Sequence, residues 1–169
     1  LQNLNKYIYP DPVAEIEFIE NPPVMIDDDL TVVILSKNPP DFEKGFSPFY
    51  RFNMINSYTK EKMGSISLRI GYTPNDVNYR GNIGFSVEEN YRGKNYAARS
   101  CRLILPVIKF HKFKHVWLTC DDDNYASIKT MEKIGAVFIE TVKIPDDYPY
   151  LWYYPEHSRT KRRYKWFVF

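Results

Sequence analysis

The sequence predicts a mixed α/β protein built on one central sheet. Three observations carry this. Short β-branched runs bounded by Pro, Asp and Gly fill the first half. The hydrophobic period then changes from two to that of a helix after residue 95. The order that results, antiparallel strands followed by strand–helix–strand–helix–strand and a last strand, belongs to a sheet with helices packed on it. The 169 residues, 44% hydrophobic and 26% charged, suit a single globular domain over 1–169 and exclude global disorder.

The elements follow in order. Residues 1–29 form a poorly defined segment in which Pro12–Glu20 suits a short helix. Leu30–Ser36 (LTVVILS) reads as a strand and Asn38–Pro48, with three prolines and a glycine, as a loop. Phe49–Ser57 and Met63–Tyr72 read as a strand pair turning at Lys60–Lys62. Thr73–Tyr79 reads as a polar loop and Asn82–Val87 as the next strand. Ala97, Cys101, Ile104 and Ile108 recur at helical spacing between Asn95 and Lys112, and Pro106 predicts a kink there. His115–Cys120 reads as a buried strand. Asn124–Ile134 reads as a helix stopped by Gly135. Val137–Ile144 and Tyr164–Phe169 are the last strands, separated by a long aromatic loop over 145–161.

Composition excludes several classes. The longest apolar runs, Leu103–Ile108 and Trp166–Phe169, fall far short of the roughly 20 residues of a membrane helix. Cys101 and Cys120 are too few for a disulfide framework or a four-ligand zinc site, and His111, His115 and His157 show no metal spacing, so no metal is expected. No secretory pattern stands at the N-terminus, and two reduced thiols suit a cytoplasmic protein. The net charge of +2 hides an uneven spread: residues 1–30 carry a net −6 and residues 156–169 a net +4. The basic tail, Arg159 to Trp166 with interleaved aromatics, suits either a nucleic-acid backbone or a solvated edge strand, and the edge strand is favoured because no wider basic field exists.

The junction after Asn82–Val87 reads Glu88-Glu89-Asn90-Tyr91-Arg92-Gly93-Lys94-Asn95-Tyr96-Ala97. A tight turn feeding a helix leaves unpaired N–H groups with partial positive charge, an arrangement that binds phosphate. Gly93 allows close approach, Asn95 tolerates a left-handed conformation, and Arg92 and Lys94 add cations. Taken alone, the pattern favours an ordinary turn, with Gly for geometry and basic residues for solubility.

A second stretch, Asn124-x-x-Ser127 followed by Glu132-Lys133-x-Gly135, opens the next helix. Together the two resemble the GNAT superfamily of acyl-CoA N-acyltransferases, of the Rim-like type: the cradle here is Arg92-x-x-Asn95-x-Ala97, with Asn95 in place of the usual Gly. The resemblance covers about residues 63–144. It implies a twisted, mostly antiparallel sheet with one splayed parallel pair and helices on both faces. It also implies acetyl-CoA as acyl donor and a primary amine (a small molecule or a peptide N-terminus) as acceptor, attacking the thioester directly.

Residue by residue, the resemblance gives the backbone of Phe85, Ser86 and Val87 to the pantetheine arm, as an added strand. It gives the amides of Arg92, Gly93, Lys94, Asn95, Tyr96 and Ala97 to the pyrophosphate. Asn124 contacts the pantetheine. The Val87 N–H is the oxyanion donor, Ser127 the partner of the leaving thiolate, and Glu88 a base acting directly or through water. Asp121–Asp123 are open to a relay or to simple helix-dipole complementarity. The usual Tyr and Glu of the family are replaced by Met131 and Thr119. Tyr153-Tyr154-Pro155 resembles an acceptor-site element, which places Tyr153 and Tyr154 at the substrate. A coenzyme-binding module without chemistry is the alternative; a homodimer suits such folds.

Overall fold

The computed structural model describes residues 16–41 and 43–169. Eight strands form one sheet in the order β1-β2-β3-β4-β5-β6-β8-β7, antiparallel except between β5 and β6. They are β1 (Ile26–Asp27), β2 (Leu30–Asn38), β3 (Phe49–Asn56), β4 (Lys62–Arg69), β5 (Ile83–Val87), β6 (His115–Asp121), β7 (Val137–Lys143) and β8 (Thr160–Phe167). Among the described residues three α-helices accompany them: α1 (Tyr96–Leu103), α2 (Leu105–Phe110) and α3 (Tyr125–Lys133). Helix α1 packs on β1, β2, β4 and β5, whereas α3 packs on β6 and touches α1.

The period-2 strands fold as read. Leu30, Val32, Tyr50, Phe52, Met54, Ile66 and Leu68 alternate inward and are fully buried. Each such side chain stabilises the fold by about 1.5–3 kcal/mol. Helix α1 presents Tyr96, Ala98 and Cys101 to the same core. The expected kink falls at Ile104, where α1 ends with a backbone unlike either helix, and Pro106 is the second residue of α2. Proline has no N–H to offer the carbonyl four residues back, so the chain leaves the helix before reaching it. Gly135 ends α3 with φ 83, donating to Glu132 O while Ala136 donates to Met131 O, the paired closure of a left-handed helix stop.

Three expectations need correction, and one element gains detail. The segment 1–29 contributes β1, a hairpin onto β2 through Asp28 at φ 49; the start of the Pro12–Glu20 helix lies outside the described residues, and 16–20 are irregular. Its acidic run is structural: Asp27 and Asp29 both pair with Arg99 of α1, and Asp29 also accepts from Tyr96. The polar loop at 73–79 is a wide helical turn over Asn75–Arg80. Asp76 organises it, accepting from Thr73 and Ser47 while its own N–H donates to Thr73. The aromatic loop over 145–161 is packed down, with Ile144, Tyr148 and Tyr154 joining Tyr79 in a second small core. Finally, β8 is interior, between β6 and β7, and the sheet edge falls to β7. Its cations are committed there: Lys161 pairs with Asp121 and Arg163 with Glu140, while Arg162 lies over the Phe138 ring.

Strands β5 and β6 meet at a single register position, Ile83 opposite Leu118, and then diverge. Asn82 closes this end. Its Oδ1 accepts from Trp117 N at 2.8 Å, and its Nδ2 donates to Gly71 O at 2.9 Å and Arg69 O at 3.2 Å. The cleft that opens beyond it positions everything that follows.

Candidate active site

A cavity of about 460 Å³ lies where β5 runs into α1, with α3 as its far wall. Its lining includes Phe85, Ser86, Val87, Arg92, Gly93, Asn95, Tyr96, Ala97, Asn124 and Ser127, so two stretches of sequence read separately come together. Lys94 and Glu88 are exposed and stand outside this lining.

The antiparallel ladder decides which groups of β5 face the cleft. Arg69 N donates to Asn82 O and Glu88 N to Met63 O, so even-numbered residues spend their backbone groups on β4. With the register Ser65 opposite Ser86 and Gly64 opposite Val87, the intervening Phe85 and Val87 turn theirs the other way, towards β6. Beyond Ile83, β6 is out of reach, so these form a free half-edge. The expected trio is therefore reduced to two: the Ser86 backbone belongs to β4. The Val87 carbonyl accepts from Arg92 Nε at 3.1 Å, which ties the turn to the strand.

The turn has the geometry of an anion cradle. Gly93 has φ 86 and Asn95 has φ 61, two left-handed positions one residue apart. The first helical amide bond of α1 is Arg99 N to Asn95 O. Among the described residues, the amides of Gly93, Lys94, Asn95, Tyr96 and Ala97 have no carbonyl acceptor. A Cβ on Gly93 would meet nothing within 4 Å, so the space beside it is open. Successive amides of this kind, with the helix dipole behind them, suit a diphosphate. Asn95 does not cap the helix with its side chain; its Oδ1 accepts from Lys133 Nζ, across from α3.

Sequence reasoning missed the α3 wall. Ala126, Lys129, Thr130 and Lys133 line the cavity at spacings of three and four residues, one face of a helix. That spacing was visible, but a polar stripe reads as solvated surface until something stands opposite it. Asn124 caps α3, accepting from Ser127 N at 3.2 Å. The Ser127 hydroxyl makes no hydrogen bond among the described residues, unlike Thr130, which back-bonds to Ala126 O at 3.0 Å.

A second cavity of about 230 Å³ meets the first at Phe85, Asn124 and Ser127. Its other walls include Arg80, Thr119, Asp121, Ser158 and Lys161. Burial opposes the charged form of Asp121, but hydrogen bonds from Lys161 and Ser158, each 2.6 Å, outweigh it and hold its carboxyl below the usual range. That makes Asp121 a poor base, and Asp122 and Asp123 are exposed. Burial pushes the Cys120 thiol up to about 11, so it stays protonated. Thr119 donates to Tyr79 O at 2.8 Å and Met131 is buried, so neither position offers an acid or base. Tyr153 and Tyr154 line neither cavity: Tyr154 is buried, its hydroxyl donating to Asn75 Oδ1 at 2.6 Å, and Tyr153 stacks its edge on Phe46.

The profile of the family described as "Acetyltransferase (GNAT) domain" matches residues 13–137. Among solved structures, an apo RimL, the ribosomal L7/L12 alpha-N-protein acetyltransferase, aligns with a TM-score of 0.53 at 15% identity, over 75% of this chain and 72% of that one. The Salmonella typhimurium acetyl transferase that modifies the N-terminal serine of L7/L12 gives 0.54 at 15% identity, over 75% and 67%. The ribosomal-protein-S5-alanine acetyltransferase of Vibrio fischeri gives 0.54 at 16%, over 71% and 62%. At these identities the likeness is one of fold. Comparison with curated proteins finds no match. Among the described residues no helix is long and apolar enough to cross a membrane, and no three His, Cys, Asp or Glu side chains cluster as a metal site would require.

Proposed function

Since the chain belongs to the GNAT acetyltransferase family, we propose that it carries the acetyl group of acetyl-CoA to a primary amine. One observation carries the reading: the unpartnered amides of Gly93, Asn95, Tyr96 and Ala97 belong to residues lining a cavity at the foot of a splayed strand pair. The pyrophosphate lies on those amides, with Arg92 and Lys133 at its sides. The pantetheine arm runs along the free half-edge of Phe85 and Val87 and takes a contact from Asn124. The thioester then sits where the two cavities meet, and the amine enters from the smaller one.

The chemistry is short. The amine nitrogen, having lost a proton to water, attacks the thioester carbonyl. The Val87 N–H, which no strand partner claims, stabilises the oxyanion as it develops. The C–S bond breaks, the nitrogen left cationic by the attack gives its second proton to water, and the thiolate takes a proton from the unpartnered Ser127 hydroxyl, which is replenished from solvent. Glu88, exposed and away from the lining, contributes at most through water.

A second reading has its own support. Met131 and Thr119 leave no titratable group where relatives carry one, so binding of the coenzyme without transfer accounts for the cradle equally well. The test is calorimetry with acetyl-CoA joined to thiol detection over a panel of amines. Tight binding with amine-dependent CoA release supports transfer. Binding with no release by any amine supports the module. No binding overturns both. The neighbours' ribosomal-protein N-termini belong in the panel, as peptides.

A further inference from the structure

We propose that the smaller cavity selects acceptors bearing an anionic group, a carboxylate or phosphate, beside the amine, and that Arg80 is the residue that grips it. The amine's role rests on the transferase reading above; the anion subsite rests on Arg80 itself.

The argument starts from charge accounting. Three ionised side chains line this cavity: Arg80, Asp121 and Lys161. Lys161 and Asp121 neutralise each other at 2.6 Å, with Ser158 bonded to both. Arg80 is left over. Among the described residues its side chain has no hydrogen bond and no salt bridge, and its Nε is shut from solvent without an acceptor. Such an orphan is costly, since a buried cation donor without an acceptor forfeits more than a neutral one.

Its surroundings sharpen the point. Arg69 lies close beneath, fully buried, with a Cβ on Gly84 falling 3.1 Å from its guanidinium. Burial and the charge of Arg80 together pull Arg69 down to about 10. Among the described residues Asp76 is the one carboxylate acting on this pair; Ser47 and Thr73 both donate to its Oδ2, its Oδ1 has no hydrogen-bond partner, and its single charge offsets only one of the two cations. The group therefore carries one positive charge too many. Arg80 is also fixed in place: its guanidinium lies 4.4 Å from the Phe46 ring centre and 5.0 Å from that of Tyr153. Ring contact occupies the faces of the guanidinium and leaves its N–H edges for bonding, the arrangement that favours a planar or tetrahedral anion. This also gives Tyr153 an indirect part, as a positioning residue. At about 230 Å³ the space is below the roughly 300–1,000 Å³ that houses drug-sized ligands. The acceptor end is therefore compact.

The experiment has two arms. In the first, acetyl-CoA turnover is compared for twins that differ only in the anion: amino acids against their amides, ethanolamine phosphate against ethanolamine, and peptides with an acidic or neutral second residue. The expected result is a kcat/KM preference of about ten- to a hundredfold for the anionic twin, the worth of one charge-assisted bond. In Arg80→Gln that ratio falls to near one, and Arg80→Lys restores part of it, while the KM for acetyl-CoA stays put. Equal or better turnover of the neutral twins overturns the proposal. In the second arm, the Arg80 Nε–H resonance, assigned by its absence from Arg80→Gln, is titrated with acetate and with inorganic phosphate at constant ionic strength. A saturable shift supports the subsite; none overturns it. If the resonance responds but no amine is acetylated, the transferase reading fails and the anion site stands. If amines are acetylated without anionic preference, the reverse holds.

Discussion

Replacing Asn82 by Ala tests how the cleft is held open. The side chain is wholly buried and makes three hydrogen bonds, to Trp117 N, Gly71 O and Arg69 O. It therefore joins β6, the end of β4 and the segment after it at the one place where β5 and β6 touch. Alanine removes all three bonds and leaves an amide and two carbonyls where water has no access. An unsatisfied buried donor costs about 1–3 kcal/mol, and carbonyls with a second partner cost less. The sum is about 3–5 kcal/mol, a third or more of the stability of an ordinary domain. Urea unfolding followed by circular dichroism reads this as a shift in midpoint at unchanged slope. Asn82→Asp keeps an acceptor for Trp117 N but gives up both donations and buries a charge, so at neutral pH it is no better than alanine. A loss below about 1 kcal/mol in both variants would refute the claim that this side chain sets the splay.

Three further outcomes follow from the same geometry. Asn95→Asp sets a carboxylate among the cradle amides; at about 4 Å and surface dielectric the repulsion is roughly 1–4 kcal/mol, so calorimetry shows acetyl-CoA binding weakened about fivefold or more, while Asn95→Gly, free at φ 61, stays within about threefold. Ser127→Ala lowers kcat about a hundredfold with little change in KM for acetyl-CoA; retention of activity within about threefold removes it from the chemistry. Burial holds His111 at about 4, against an ordinary value near 6.5, with its Nε2 hydrogen-bonded to the Tyr50 hydroxyl, which also accepts from Ile19 N. A depressed base means the unfolded chain binds the extra proton first, so stability is complete above about pH 6.5 and is lost as pH falls towards 4. The full shift corresponds to about 3.4 kcal/mol, which partial exposure reduces to about 1–2. Urea midpoints across that window fall in the wild type and stay flat in His111→Gln.

What the sequence disclosed was local. The alternation of Tyr50, Phe52 and Met54 needs no partner to be read as a strand, and Pro106 announces a break from its own covalent structure. Asn95 was legible for the same reason: a left-handed residue ahead of a helix is a property of that residue and its neighbours. What stayed hidden depends on groups distant along the chain. The ion pair of Lys161 with Asp121 spans 40 residues, and that of Arg163 with Glu140 joins adjacent strands that only the fold brings together. Before folding, both cations read as part of a solvated tail.

The same distance separates a motif from a site. The cradle sequence predicted free amides, but it could not show that β4 claims Ser86 and leaves Phe85 and Val87, because that choice follows from the register Gly64 opposite Val87. A slip of one residue would exchange the two sets and turn the Val87 N–H into the ladder. The proposed oxyanion donor is thus specified by the pairing of β4 with β5 as much as by the residue itself. Gly64 helps fix that register, because a Cβ there would fall 2.3 Å from Ser86 O. Glycine at 64 is what lets β5 lie close enough to β4 for its even residues to be satisfied and its odd ones to face the cleft.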